Sequence, residues 1–187
     1  MLVKCNIESS DDFNISHSVT LVPRLEYSVN LLSEIIDTLS EKKSELKESN
    51  KDLVSYFDEQ EPTHLQSLEL EKTYWYCHEV LSVVKKRTSG INGVTSLPEV
   101  LPSTIPMIRT ISAKLFEIMP NSSQKLSELS VHLGSIVLDS AALTKARFDF
   151  SQSNEESARI LDEVKLMVDS KISKSYPNVD FFKLCNT

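Results

Sequence analysis

The sequence predicts an all-α protein, an elongated antiparallel helical bundle or coiled coil of three to four helices. The first reason is the scarcity of glycine, with 3 glycines among 187 residues, where average usage would give about 13. Because glycine supplies the positive-φ corners of hairpins and phosphate-binding loops, β-sandwiches and Rossmann folds are disfavoured. The second reason is a row of leucines spaced by seven residues, which is typical of a helix with one narrow apolar seam.

The first helix is predicted over residues 22–59. A second row of seam positions lies four residues after each leucine, which gives a sustained 4-3 repeat. Lys43 and Asn50 are polar members of this row, and Pro23 suits the first turn, where its missing N–H costs nothing. The apolar members are Leu25, Val29, Leu32, Ile36, Leu39, Leu46, Leu53 and Phe57. Because the apolar face is narrow in the middle, it favours a coiled coil; a compact four-helix bundle, which needs a broader face, is the alternative.

A second helix is predicted over residues 63–87, so that residues 20–87 form a helical hairpin. Glu61 and Pro62 end the first helix, and Thr63 with Gln66 matches a capping box for the second. Since the connection is short, the two helices are expected to be antiparallel neighbours. The apolar stripe of the second helix comprises Leu68, Leu70, Tyr74, Trp75, Cys77, Leu81 and Val84.

Residues 88–106 are predicted to be a loop, because they contain two of the three glycines and three of the seven prolines. Residues 1–19 precede the hairpin as a leader of mixed composition, and residues 174–187 form a C-terminal tail with an apolar cluster. Between loop and tail, residues 107–173 form a long helical segment. Its first helix, over 105–118, is based on Ile108, Ile111, Leu115 and Ile118.

The rest of that segment, residues 123–173, repeats with helical spacing and would be roughly 75 Å long as one helix. Its middle is weakly apolar, since Ser140, Arg147, Asn154 and Ser157 fall at seam positions. This middle either bends or faces another chain. The apolar seam comprises Leu126, Leu129, Leu133, Ile136, Leu143, Phe150, Leu161, Val164 and Val168.

Composition and charge restrict the function. The net charge is −7 and the pI is near 5.2, which disfavours nucleic acids and anionic membrane surfaces as partners. No run approaches 18 apolar residues, as a membrane-spanning helix requires. The N-terminus does not resemble a signal peptide. Three widely spread cysteines, Cys5, Cys77 and Cys185, are typical of free thiols in a reducing compartment, so a cytoplasmic location is expected.

Candidate chemical groups are few. Cys77 and His78 are adjacent, but neither a zinc-ligand spacing nor a catalytic pattern surrounds them, and Cys77 lies on an apolar stripe where a free thiol acts as a small hydrophobe. In the run Tyr74-Trp75-Tyr76, we expect Tyr74 and Trp75 between helices and Tyr76 nearer the rim. We therefore predict no catalytic residue, no cofactor and no metal site.

The sequence instead predicts a non-catalytic structural subunit whose seams are completed by other coiled-coil chains. The predicted interface residues are Leu25, Val29, Leu32, Ile36, Leu39, Leu46, Asn50, Leu53, Leu126, Leu133, Ile136, Leu161 and Val164. A small helical enzyme or ligand carrier with a bundle pocket is a less favoured alternative, because it would need ionisable residues that converge in the core.

Three segments resemble the dynactin subunit 3 family, the small subunits of dynactin's shoulder arms. They are Ser40–Lys43 leading to Lys51–Asp58, then Leu65–Val84, and Pro120 followed by Lys125, Leu126, Leu129, Val131 and His132. The resemblance implies a scaffold that assembles with dynamitin and the large Glued subunit, in a cytoskeleton-associated complex that supports dynein-based microtubule transport. A coiled-coil subunit of a kinetochore or vesicle-tethering complex is the alternative.

Overall fold

The computed structural model describes the backbone of residues 10–54, 61–93, 96–145, 148 and 150–175. Within the helices it describes side chains over residues 20–45, 68–89, 97–144, 150 and 154–174. This part of the chain contains five α-helices and no strand, which confirms the all-α prediction. The helices are α1 Ser10–Val54, α2 Glu61–Ser89, α3 Leu97–Ile118, α4 Ser123–Thr144 and α5 Phe150–Ser175.

The first four helices pack as an antiparallel ring in which α1 contacts α2 and α4, and α3 contacts the same two helices. The direction of α2 follows from two contacts with α1: Lys85 Nζ lies 2.9 Å from Ser33 Oγ, and Lys43 Nζ lies 4.3 Å from the Tyr74 ring centroid. Later residues of α1 thus meet earlier residues of α2. The short connection predicts this antiparallel arrangement.

Helix α5 packs outside the ring, in the groove between α2 and α3. Two ion pairs hold it against α2: Arg87 Nη2 lies 2.8 Å from Glu156 Oε1, and Lys72 Nζ lies 2.6 Å from Asp169 Oδ1. These pairs show that α5 runs antiparallel to α2. The buried side of α5 consists of Ser157, Ile160, Val164, Val168 and Ile172.

Helix α1 has a broader buried face than a coiled-coil seam. Besides the predicted 4-3 row, Ser28 and Ile35 are buried, and they widen the face so that it can contact both α2 and α4. Such a face is typical of a bundle helix. Pro23 lies inside α1 and not in its first turn, because the helix already includes Ser10. Similarly, Thr63 is not an N-cap, since α2 already includes Glu61.

The predicted loop over 88–106 is too long: α2 continues to Ser89, and a helix begins at Leu97, so the prediction was wrong from residue 97 onward. Pro98 occupies the first turn, and Pro102 and Pro106 lie inside α3. Spaced by four residues, the three prolines lie on one side of the helix and confine the missing N–H donors to that side. Most of the first half of α3 is buried, although Glu99 is exposed; the buried residues are Leu97, Leu101, Pro102, Ser103, Thr104, Ile105, Met107 and Ile108. Burial of this apolar surface favours the helix despite its prolines.

The predicted helix over 123–173 is two helices, α4 and α5. Helix α4 ends at Thr144, and Lys145 adopts a left-handed conformation with φ 54° and ψ 18°. The interruption falls in the weakly apolar middle of the predicted seam. Of the polar seam residues there, Ser140 and Ser157 are buried and Asn154 is exposed. The predicted leader 1–19 is in part wrong, because α1 begins at Ser10, and α5 includes residues 174 and 175 of the predicted tail 174–187. Residues 1–9, Phe57 and residues 176–187 lie outside the described residues.

Candidate protein–protein interface

Most of the predicted interface residues lie in the chain's own core. On α1, α4 and α5 the buried members are Leu25, Val29, Leu32, Ile36, Leu39, Leu126, Leu133, Ile136 and Val164. Leu161 is half-buried against the same core, and the side chains of Leu46, Asn50 and Leu53 lie outside the described residues. The buried members of this set are therefore covered by helices of the same chain and are not exposed to a partner in this fold.

Polar contacts fix α4 against α1 so that one face of α4 remains outside. Arg24 Nη1 donates to Asp139 Oδ2 at 2.8 Å, and Arg24 Nη2 donates to Ser135 Oγ at 2.6 Å. Along the same contact, the rings of Tyr27 and His132 lie 6.5 Å apart. These side chains flank α4 on the α1 side and orient its apolar row, which includes Leu133, towards the bundle interior.

The outside of α4 carries a second row with 4-3 spacing, which we name the α4 outer face. It comprises Gln124, Ser127, Val131, Gly134, Leu138 and Ala141. Val131 and Leu138 are the most exposed large apolar side chains in the described part of the chain, at 76% and 72%. Apolar side chains repeated at this spacing on a solvated helix face are typical of a helix–helix contact.

Small residues alternate with the large ones on the α4 outer face. Ser127, Gly134 and Ala141 are spaced by seven residues, and a Cβ placed on Gly134 would meet no atom within 4 Å. A helix laid along this row could therefore approach the α4 backbone closely. Tyr27 of α1, which is 60% exposed, lies beside His132, the residue that follows Val131. Exposed aromatic side chains are enriched at protein–protein contacts.

This face also explains the hydropathy of the fourth helix. Among the described residues, one helical stretch, Pro120–Thr144, has the length and apolar composition of a membrane-crossing helix, with a mean hydropathy of 1.2. Such a stretch is weak support for a membrane span, since a core helix passes the same test. Here one side of the helix is apolar because it faces the core, and the other because of Val131 and Leu138.

A cluster of cationic and aromatic side chains lies on the opposite part of the bundle. The Trp75 ring has Lys171 Nζ 3.2 Å from its centroid and Lys43 Nζ at 5.4 Å. Tyr74 packs edge-on against the same indole, with centroids 5.3 Å apart. Since the two lysines come from α5 and α1, Trp75 connects three helices through cation–π contacts. We assign this cluster a structural role.

The position of Tyr76 differs from the prediction. Tyr76 is buried beside α3, where Lys114 Nζ lies 5.0 Å from its ring centroid, whereas Tyr74 and Trp75 are half-buried. Burial is the main cause that raises the pKa of Tyr76, and the nearby Cys77 and Asp162 raise it further. The helical rotation of α2 places residues 76 and 77 together towards the core.

Cys77 is fully buried, as its place on the apolar stripe predicts. Burial raises the pKa of its thiol from 9.0 to about 12, although Lys114 acts in the opposite direction. The thiolate that nucleophilic or metal chemistry needs is therefore strongly disfavoured. Among the described residues no group of three or more histidine, cysteine, aspartate or glutamate side chains is arranged to hold a metal ion.

No family model matches the chain, and no solved structure matches its fold.

Proposed function

We propose that the chain is a non-catalytic structural subunit of a multi-protein assembly, which it joins through the α4 outer face. The observation that supports this most is the pair Val131 and Leu138, two large apolar side chains one heptad apart and exposed at 76% and 72%. Leaving such side chains in water forgoes about 1.5–3 kcal/mol of burial free energy each. A partner that covers them would recover this free energy.

The partner we propose is an amphipathic helix. The residues of the α4 outer face, from Gln124 to Ala141, include no charged residue. A partner helix therefore needs an apolar stripe to match this face. Ser127, Gly134 and Ala141 leave room for bulky side chains of that helix to lie between Val131 and Leu138. This arrangement resembles the knobs-into-holes packing of coiled coils.

The assembly we propose first is the dynactin shoulder, on the strength of the sequence resemblance in Ser40–Lys43, Leu65–Val84 and the segment after Pro120. Its implied partners are dynamitin and the large Glued subunit, both helical, and its implied role is support of dynein-based transport from the cytoplasm. Val131 belongs both to the third of these segments and to the α4 outer face. A kinetochore or vesicle-tethering complex would supply the same kind of helical partner.

The test compares two pairs of charged substitutions in the tagged full chain. Val131→Lys with Leu138→Lys changes the α4 outer face, and Leu166→Lys with Met167→Lys changes exposed apolar residues of α5 as a matched control. We expect the first pair to abolish co-purification of the assembly and the control pair to preserve it, while both proteins keep the wild-type melting temperature.

The identity of the co-purified subunits decides between the assemblies. Recovery of dynamitin and the large Glued subunit supports the dynactin proposal, and recovery of kinetochore or tethering subunits replaces it while retaining the structural role. If the Val131→Lys, Leu138→Lys protein still co-purifies with all partners, the α4 outer face is not the interface. Binding of the chain to lipid vesicles through Val131 and Leu138 would also contradict the proposal.

A further inference from the structure

We infer that the partner helix lies along the groove between α3 and α4, and that an aspartate or glutamate within its apolar stripe pairs with Arg109. Arg109 and Phe116, one heptad apart on α3, form the second side of this groove opposite Val131 and Leu138. The inference rests on the proposed function, because it names the chemistry of the partner that covers the α4 outer face. It adds one side of α3 and a requirement for negative charge.

Arg109 is an exposed arginine that has no ionic partner among the described residues. Of the four arginines with described side chains, the other three, Arg24, Arg87 and Arg159, each have a carboxylate oxygen within 2.8 Å. The residues one helical turn away from Arg109 carry no charge; they are Ile105, Pro106, Ser112 and Ala113. A guanidinium binds carboxylates through two parallel hydrogen bonds, and arginine is enriched among the residues that dominate binding at interfaces.

The side of α3 that carries Arg109 and Phe116 is turned away from α2 and α5. Ser103 marks the α2–α5 side, because its hydroxyl accepts a hydrogen bond from Arg87 and its carbonyl oxygen accepts one from Ser157. Arg109 and Phe116 lie about 120° and 140° around the helix from Ser103. Each follows a buried core residue by one position, and Phe116 is 51% exposed. Since α4 also packs against α3, the two side chains lie on the solvent side of α3 next to α4.

The turn between α3 and α4 fixes where these residues lie along the groove. Because the three-residue turn Pro120–Ser122 joins the two helices, they run antiparallel. Arg109 and residue 133, which lies between Val131 and Leu138, are equally far from the centre of this turn. Phe116 is closer to the turn than Val131 is. Along the groove, the one cation therefore lies between the levels of the two apolar side chains of α4, and the phenyl ring lies towards the turn.

The α4 side of the groove next to α3 consists of small residues. The contact between the rings of Tyr27 and His132 marks the side of α4 that faces α1. Ser127 and Gly134 lie about 140° and 160° around α4 from His132, which places them on the opposite flank, next to α3. A Cβ at Gly134 would meet no atom within 4 Å. A partner helix can therefore approach the groove closely enough to reach Arg109.

The position of Arg109 determines which partner helix fits. A helix with a wholly apolar stripe would cover the guanidinium without pairing it, which costs free energy because the cation loses water and gains no hydrogen bond. An acidic residue in the middle of the stripe replaces that water with a charge-assisted pair. A single polar pair inside an otherwise apolar helix contact also fixes the register of the two helices. Arg109 thus selects both the partner and its alignment.

The experiment titrates the tagged full chain with the purified subunit that cross-links to a photoreactive residue at Leu138. Arg109→Glu places like charges in the groove and should raise the dissociation constant about tenfold or more. Phe116→Ser should raise it about fivefold or more by removing apolar contact area. Lys165→Glu, at an exposed position of α5, is the control with the same change of charge and should leave the dissociation constant unchanged. All three side chains are exposed, so the melting temperatures should equal that of the wild type.

A charge exchange then identifies the partner's carboxylate. Each aspartate and glutamate of the cross-linked segment is changed to lysine in turn, and one of these variants should bind the Arg109→Glu chain more tightly than the wild-type chain. If none does, or if Arg109→Glu binds like wild type, the inference is overturned while the α4 outer face remains the interface. If no subunit cross-links at Leu138, or if the Val131→Lys, Leu138→Lys protein also binds normally, the proposed function and this inference both fail.

Discussion

The hydroxyl of Ser157 on α5 donates a hydrogen bond of 2.8 Å to the main-chain carbonyl oxygen of Ser103 on α3, within the core. Ser103 Oγ in turn accepts a bond of 2.7 Å from Arg87 Nη1 on α2, and Arg87 also pairs with Glu156. One buried serine pair thus connects three helices at the place where α5 begins to pack. Buried polar groups that are fully paired favour one helix register over others.

We expect Ser157→Ala to lower the free energy of unfolding by about 1–3 kcal/mol, because it removes the donor and leaves the Ser103 carbonyl without this partner. The control is Ser170→Ala on the exposed side of the same helix, which should change stability by less than about 0.5 kcal/mol. Denaturant unfolding of the three proteins provides the comparison. Equal stabilities for Ser157→Ala and wild type would mean that this hydrogen bond does not contribute to stability.

Leu39 distinguishes a core seam from a partner interface. Its side chain is 0% exposed, so Leu39→Ala should destabilise the isolated chain by about 2–5 kcal/mol through lost burial and the cavity that remains. Leu166→Ala, at a position that is 69% exposed, should have almost no effect. Thermal melts without any partner test this. If Leu39→Ala melts like wild type when isolated, the leucine row does not belong to the chain's own core.

Cys77 should be unreactive in the folded protein and should make stability depend on alkaline pH. With a folded pKa of about 12 against an ordinary value of 9.0, the unfolded thiol loses its proton first as the pH rises. The free energy of unfolding contributed by this group is therefore constant below pH 9 and falls between pH 9 and 12. Tyr76, whose pKa is also raised, adds to the fall in the same direction.

Thiol labelling and alkaline unfolding check this expectation in a chain with Cys5→Ser and Cys185→Ser. Labelling near pH 8 should occur only after unfolding, and Cys77→Ala should reduce the loss of stability with rising pH. Rapid labelling of the folded protein would show that Cys77 is accessible and that its raised pKa is not a property of the native state.

The burial of the leucine row could be predicted from the sequence, but the helices that cover this row could not. The spacing of Leu25, Leu32 and Leu39 indicates an apolar face, and all three are buried. Spacing does not say whether the covering helix belongs to the same chain. Ser28 and Ile35 lie beside this row and are also buried. Their positions widen the apolar face, which favours a bundle over a coiled coil.

Helix α3 shows where local signals were misleading. Three prolines over residues 98–106 predict a loop, yet Leu97, Leu101 and Ile105 already repeat every four residues and are all fully buried. Tertiary burial outweighed the unfavourable propensity of Pro102 and Pro106 inside the helix. The α4 outer face was missed for a different reason. Val131 and Leu138 form a weaker apolar row. The same helix carries a stronger row through Leu126 and Leu133, and the interface prediction was based on that row.

Site-specific photocross-linking in the native assembly is the most direct test of the α4 outer face as the partner contact. A photoreactive residue would be placed at Leu138, at Leu166 as an equally exposed apolar control, and at Leu39 as a buried control. We predict that Leu138 cross-links to a helical, non-enzymatic subunit of the assembly, and that Leu166 and Leu39 give no such product. Cross-linking of that subunit at Leu166 or Leu39, with none at Leu138, would contradict the proposed interface.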